Sequence, residues 1–133
     1  MISSDVIRGY NDTFILFFLL DGPSYGYEIS KHIREQSDGK YIIKETTLYS
    51  AFTRLEKNGY IESFSGDETN GKRRTYYRIT ETGRRYYAEK CEEWKVTKEV
   101  VEQLYGCKKG LLWIPYEFIL RICLPGFRGL LKS

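Results

Sequence analysis

Hydrophobic residues near the start of the chain form one uninterrupted run. The stretch FILFFLL, from Phe14 to Leu20, is apolar throughout and is followed by Asp21-Gly22-Pro23. An apolar run that stops at Gly-Pro is typical of a buried helix, and seven residues are far too few to cross a bilayer. We therefore predict a core helix that ends near Leu20.

A second, amphipathic helix is predicted for the sequence YGYEISKHIREQ. Ser24 is placed to cap its amino terminus, and Tyr25, Ile29 and Ile33 fall on one apolar stripe. The sequence Ser-Asp-Gly at 37–39 ends it. By this pattern alone Tyr25 is a core residue.

A third helix follows a short extended stretch, Tyr41 to Ile43, and ends at Asn58-Gly59. Leu48, Phe52 and Leu55 lie at i, i+4 and i+7 and form its core-facing stripe. The opposite side carries hydroxyls, a phenol and cations, on Thr46, Thr47, Tyr49, Ser50, Thr53, Arg54 and Lys57. Such groups can bind base edges and phosphates, although an ordinary solvated helix face has the same composition.

After Gly59 the period of the pattern changes from 3.6 to 2. Residues 60–65 and 73–80 are predicted to be two strands of a hairpin, joined across Asn70-Gly71, a strong turn signal. Three adjacent cations, Lys72, Arg73 and Arg74, follow that turn. Such cations suit a hairpin tip that contacts the phosphate backbone of a nucleic acid. The alternative is an ordinary turn whose charges face solvent.

The predicted order is helix, helix, short strand, helix and hairpin, which is typical of a winged helix-turn-helix. The fold class is thus mainly α with a small β-hairpin. In this architecture the third helix enters the major groove and the hairpin, or wing, contacts neighbouring backbone. The polar helix face and the basic turn are independent signals, and their combination favours DNA binding.

A long helix from Glu81 to Tyr105, which Thr80 can cap, is predicted after the wing. An apolar seam runs along it, and the residues that we expect to dimerise are Tyr87, Cys91, Trp94, Val101 and Leu104, with Lys98 interrupting the seam. A partner helix would cover this seam, and a two-fold dimer would read an inverted repeat with half-sites roughly 34 Å apart. Packing of this helix on Phe14 to Leu20 of its own chain is an alternative that is compatible with the dimer.

Composition and charge narrow the class of protein. The chain has 133 residues, a net charge of +3 and 41% hydrophobic residues, which suits a folded domain. The three cysteines and the single His32 lack the spacing of a metal site, and we expect the thiols to be reduced in a cytoplasmic protein without a secretory leader. No nucleophile with a base, phosphate loop or metal cluster is present, so we predict neither an enzyme nor a cofactor.

The motifs GPSYGYEI, TTLYSAFTRLEKNGYI and GKRRTYYRITETG, beginning at residues 22, 46 and 71, resemble the PadR family of bacterial transcriptional regulators. The resemblance covers about residues 8–105 and is closest to the subfamily with a single helix after the wing. It implies a homodimeric repressor that binds a promoter and leaves it when an inducer binds.

The same resemblance assigns roles to individual positions. It implies a phosphate contact for Tyr25. It also implies base and backbone contacts for the third helix, through Thr46, Thr47, Tyr49, Ser50 and Arg54, and phosphate contacts for the wing, through Lys72, Arg73 and Arg74. In a multidrug-responsive branch, the position of Trp94 binds flat aromatic compounds across the dimer, and Asp12 and Thr13 would line the same slot. Lys98 departs from that branch, where an acid is expected.

Residues 107–133 lie outside the resemblance, so we divide the chain into 1–80 (winged helix), 81–106 (dimerisation helix) and 107–133 (apolar extension). A run interrupted by Pro115 does not suit a membrane span, and we favour a packed or irregular extension. The leading hypothesis is a ligand-responsive repressor that binds double-stranded DNA. The alternatives are a winged-helix protein-interaction module and a regulator held at a membrane by the extension.

Overall fold

The computed structural model describes residues 2–66 and 73–105. Its elements are α1 (Ser4–Ile7), a 3-10 turn (Arg8–Tyr10), α2 (Asn11–Leu19), α3 (Gly26–Gln36), α4 (Glu45–Lys57), β1 (Ile61–Ser65), β2 (Thr75–Ile79) and α5 (Glu81–Tyr105). Residues up to Trp94 form one compact unit, and a second begins at Lys95. The mainly helical winged-helix class predicted from the sequence is confirmed.

The core lies between α2, α3, α4 and the hairpin. The stripe predicted for α4 is buried as expected, with Leu48, Phe52 and Leu55 each at most 3% exposed. It packs with apolar side chains of the neighbouring elements, namely Ile15, Leu16, Leu19, Ile29, Ile33, Ile43, Ala51, Ile61 and Tyr77. Tyr25, predicted from its helical spacing to be a core residue, lies outside this cluster and is half-buried.

The hairpin strands β1 and β2 pair antiparallel, with Ile61 opposite Ile79 and Ser63 opposite Tyr77. Tyr77 is buried, whereas its neighbour Arg78 is exposed. The strand therefore has a buried side and an exposed side at this point, because side chains alternate across a sheet.

Ser24, rather than Tyr41 to Ile43, supplies the further strand-like contact to the hairpin. The Ser24 N–H donates to the Tyr77 carbonyl (3.1 Å), and the Tyr77 N–H donates to the Ser24 carbonyl (2.8 Å). The strand predicted at Tyr41 to Ile43 is not a strand. Ser24 also does not cap α3, because its hydroxyl donates to the Glu28 carboxylate (2.5 Å) and Tyr25 occupies the N-cap position.

The junction between the wing and α5 is closed by Thr80. Its hydroxyl donates to the Gly59 carbonyl (2.6 Å) and accepts from the Gly83 N–H (3.0 Å), so the predicted helix cap is confirmed. Gly59 itself has φ +76°, a left-handed conformation that suits the predicted helix stop.

Gly83 allows α5 to lie close to Tyr60, which precedes β1, and to the end of β2. A Cβ atom at this position would lie 2.1 Å from the Tyr60 carbonyl oxygen and 2.9 Å from the Ile79 side chain. The obstacle is backbone, which cannot rotate away as a side chain can. Any larger residue must therefore displace α5 from the strand.

Residues 2–66 and 73–105 contain neither a membrane-spanning helix nor a cluster suited to a metal ion. No helix there is both long and apolar enough to cross a membrane. Neither do His, Cys, Asp and Glu side chains of this part of the chain gather in a group of three suited to a metal ion.

Candidate nucleic-acid interface

The polar side of α4 is open to solvent. Thr46 and Ser50 are exposed, Tyr49 is 46% exposed and Thr47 is half-buried. These four residues, which we call the recognition face, sit opposite the buried stripe that anchors the helix. The face presents three hydroxyl groups and one phenol, which can donate to and accept from base edges.

The side chain of Tyr49 packs against Phe52 and against the start of α3. Its ring lies edge-on to Phe52, with the ring centroids 5.6 Å apart. Its hydroxyl lies so close to α3 that a Cβ atom on Gly26 would be 2.8 Å from it. Gly26 was not identified from the sequence, although its place between two tyrosines at the start of a helix was visible.

Arg74, which precedes β2 at the tip end of the wing, stacks on Tyr25. The guanidinium carbon lies 4.0 Å from the centroid of the Tyr25 ring, and Tyr76 lies edge-on to the same ring at 5.3 Å. The half-buried Tyr25 thus contributes to the wing surface. This is consistent with the phosphate-contact role that the family resemblance implies, because a cation is fixed directly above the phenol.

Further along the same strand face, Arg78 lies over the ring of Phe64 at 4.4 Å. Its Nε is 3.4 Å from the Glu62 carboxylate. Arg78 therefore covers apolar surface, and its charge is partly neutralised by Glu62.

The tip of the wing is only partly described. Arg73 is exposed next to Arg74. Lys72 and the predicted Asn70-Gly71 turn lie outside the described residues, and so does the extension at 107–133.

Arg54, predicted to contact DNA, is bound by Asp12 of α2. Arg54 Nε donates to Asp12 Oδ2 at 2.9 Å and Nη2 donates to Oδ1 at 2.5 Å. The hydrogen bond to Asp12 is the main reason that the pKa of Arg54 is raised. The two residues are 42 positions apart, so no local pattern in the sequence indicated their contact.

The first half of α5 packs on α2. Tyr87 lies against Phe17, with ring centroids 6.3 Å apart, and burial followed by its hydrogen bond to Cys91 raises the pKa of Tyr87 to about 12. Tyr10 lies edge-on to Trp94 at 5.5 Å, and Trp94 remains 49% exposed. The structure therefore leaves room on Trp94 for a further partner. Thr13 is half-buried on α2.

The second unit presents apolar side chains to solvent. Val101 is 44% exposed and Leu104 is 78% exposed, and Lys98 is also exposed. Aliphatic side chains in such positions are typical of a surface that another chain covers.

An apolar cavity that the sequence did not reveal lies beside α2. Its volume is about 480 Å³. Its walls include Ile7, Phe14, Phe18 and Ile33, and Lys40 is at its edge. It has the size of a small-molecule site.

Comparisons with known proteins agree with this geometry. The family model of the PadR-like transcriptional regulators matches residues 15–89. A solved transcriptional regulator from Clostridium thermocellum is 66% identical, with a TM-score of 0.72 over 77% of this chain and 97% of that chain. A PadR family transcription regulator from Clostridium difficile is 36% identical, with a TM-score of 0.64 over 72% of this chain and 98% of that chain.

A curated relative matches a similar share of the chain. An uncharacterised protein from Lysinibacillus sphaericus is 45% identical over 102 residues, which are 77% of this chain and 94% of the relative. The family match spans more than half of the chain and includes α3, α4 and the hairpin. The chain therefore belongs to the PadR-like family of transcriptional regulators, which act by binding DNA and are not enzymes.

Proposed function

We propose that this protein is a sequence-specific repressor that binds an operator as a homodimer and responds to a small aromatic ligand in the cytoplasm. The proposal that the protein binds DNA rests on the position of Arg74. Its guanidinium is held over Tyr25, at the start of α3, while the recognition face of α4 lies open. A fixed cation beside an open polar helix suits combined backbone and base recognition.

The two surfaces take different parts in this proposal. The recognition face has hydroxyl and phenol groups and selects the base sequence through Thr46, Thr47, Tyr49 and Ser50. The wing cations neutralise phosphates and supply affinity that is independent of sequence. Tyr25 holds Arg74 so that less side-chain freedom is lost on binding.

Dimerisation rests on the apolar positions of α5. Val101 and Leu104 are exposed, and Tyr87, Cys91 and Trp94 are the other positions of the seam that the sequence predicts. A second copy would cover these side chains by an isologous contact. The resulting two-fold axis places two recognition helices on an inverted repeat.

Ligand response rests on Trp94. Its indole is half-exposed and meets Tyr10 edge-on, so a flat aromatic molecule can stack on the remaining face. Asp12, Thr13 and Lys98 stay sequence-based candidates for this slot. Asp12 would have to exchange Arg54 for the ligand.

The decisive experiment is fluorescence anisotropy with the chain's own upstream DNA at two salt concentrations, with and without random competitor DNA. We expect tight binding that competitor does not remove, and that weakens as salt rises by about 0.9 log units per log unit of salt for each phosphate neutralised. Binding no tighter than to random DNA would refute the repressor and favour the protein-interaction module.

Variants separate the two surfaces. Replacing Lys72, Arg73 and Arg74 by Ala should weaken binding to all sequences alike and lower the salt slope. Replacing Thr47 or Tyr49 by Ala should change which sequence is preferred. Lys90→Gln removes a cation on α5 that pairs with Glu93 and serves as the control that leaves both readouts unchanged.

A further inference from the structure

We propose that Asp12 is a positioning residue for the recognition helix, and that Arg54 acts on DNA recognition through Asp12 instead of touching the DNA. This inference rests on the proposed DNA-binding function. It assigns to α2 a part in operator recognition that its sequence did not suggest.

The contact between Arg54 and Asp12 is bidentate. Two different nitrogens of Arg54 each donate to a different oxygen of Asp12, at 2.9 and 2.5 Å. The Asp12 side chain is only 19% exposed, whereas that of Arg54 is 51% exposed. A two-point contact between a planar guanidinium and a planar carboxylate fixes direction as well as distance.

The position of Arg54 on α4 makes that fixed direction matter. Arg54 lies in the last turn of α4, seven residues after Thr47, so the two side chains project from the same flank. The two hydrogen bonds between Asp12 and Arg54 therefore limit rotation of α4 about its axis. Such a rotation would displace Thr47 and the rest of the recognition face from the bases.

The effect of charge on DNA binding distinguishes a positioning role of Arg54 from a direct contact with a phosphate. An arginine whose charge is balanced by a bidentate carboxylate releases few counterions from DNA. Asp12→Asn also removes a negative charge, so electrostatics alone predicts tighter binding to DNA. Weaker binding by that variant would be the mark of a lost positioning contact.

The test is a double-mutant cycle on operator binding with Asp12→Asn, Arg54→Gln and both together. We expect each single variant to weaken specific binding by a similar factor, of the order of tenfold, and the double variant to be no weaker than either. The salt slope should stay at the wild-type value. Exchange of the charges, Asp12→Arg with Arg54→Asp, should restore part of the affinity, whereas Arg54→Lys should not.

Glu62→Gln is the matched control. It likewise removes one carboxylate from an ion pair, that with Arg78, and raises the net charge by one. It should leave specific binding equal or slightly tighter. The proposal is overturned if Arg54→Gln lowers the salt slope by about one phosphate while Asp12→Asn tightens binding, or if the two losses simply add.

A readout without DNA separates this proposal from the proposed function. Asp12→Asn and Arg54→Gln should accelerate amide hydrogen exchange at the same positions of residues 45–57 in the free protein. If the wild-type protein fails to bind its operator, the repressor proposal fails. The exchange measurement still tests whether the Asp12–Arg54 contact holds α4 in place. Unchanged exchange in both variants would refute it.

Discussion

Phe52 of the recognition helix and Tyr77 of the wing strand stack face to face, with ring centroids 4.0 Å apart and planes at 13°. Both are buried, at 2% and 9% exposure. The Tyr77 backbone also exchanges two hydrogen bonds with Ser24, just before α3. One residue of the wing is therefore fixed both to α4 and to the segment before α3, which sets the wing relative to the recognition face.

Loss of this stack should destabilise the fold. Tyr77→Leu removes the aromatic contact and leaves a gap, and we expect the free energy of unfolding to fall by about 2 to 4 kcal/mol. Tyr27→Leu makes the same chemical change at a side chain that is 69% exposed and should cost far less. Urea unfolding of both variants measures the difference, and equal losses would contradict the assignment.

Gly83→Ala should destabilise the protein, although alanine usually stabilises a helix by about 1 kcal/mol relative to glycine. The new methyl group would meet the Tyr60 carbonyl, so we expect a net loss of about 1 to 3 kcal/mol in the free energy of unfolding. Gly9→Ala is the control, because nothing lies within 4 Å of a Cβ atom there. A thermal midpoint for Gly83→Ala at or above the wild-type value would show that α5 can move away.

The Arg74–Tyr25 stack should matter for DNA affinity beyond the charge of Arg74. Arg74→Lys keeps the charge but loses the planar stack, and we expect affinity to fall by about two- to fivefold, from a cation–π contribution of about 0.5 to 1 kcal/mol. The salt slope should not change. Arg78→Lys, at a guanidinium already paired with Glu62, should have a smaller effect. Anisotropy titrations at two salt concentrations compare them.

Two valines of α5 test the dimer. Val101 is seven residues after Trp94 and follows the predicted seam, whereas Val96 is two residues after it, about 200° round the helix. They are 44% and 59% exposed. Val101→Glu should dissociate the dimer because it buries a charge in the interface, and Val96→Glu should not. Sedimentation velocity distinguishes these results, and a dimer that survives Val101→Glu would place the interface elsewhere.

Ionisation of Tyr87 should weaken the fold in alkali. Burial and its hydrogen bond to Cys91 raise the pKa of Tyr87 from 10.0 to about 12. The folded protein therefore holds this proton more tightly than the unfolded chain. The resulting stability is fully present below pH 10 and is lost as pH rises towards 12. Thermal midpoints from pH 8 to 12 should fall less steeply for Tyr87→Phe than for the wild type.

Local patterns accounted for most of the fold. The buried stripe of α4, the helix stop at Gly59, the Thr80 cap and the alternation of Tyr77 with Arg78 all depend on residues a few positions apart. A side chain's face on a helix or strand is set by that spacing, so the sequence alone suffices. The roles of these faces in binding DNA came from the family motifs and not from this spacing.

The tertiary structure decided which distant residues meet. Ser24 bonds Tyr77, Arg74 lies over Tyr25, and Asp12 holds Arg54. The Asp12–Arg54 pair joins a residue predicted to line the ligand slot to a residue predicted to contact DNA. These contacts follow from how whole elements pack, and packing depends on the summed burial of many side chains. The sequence by itself therefore determined the elements and their exposed faces, and only the packed structure determined which partners those faces hold.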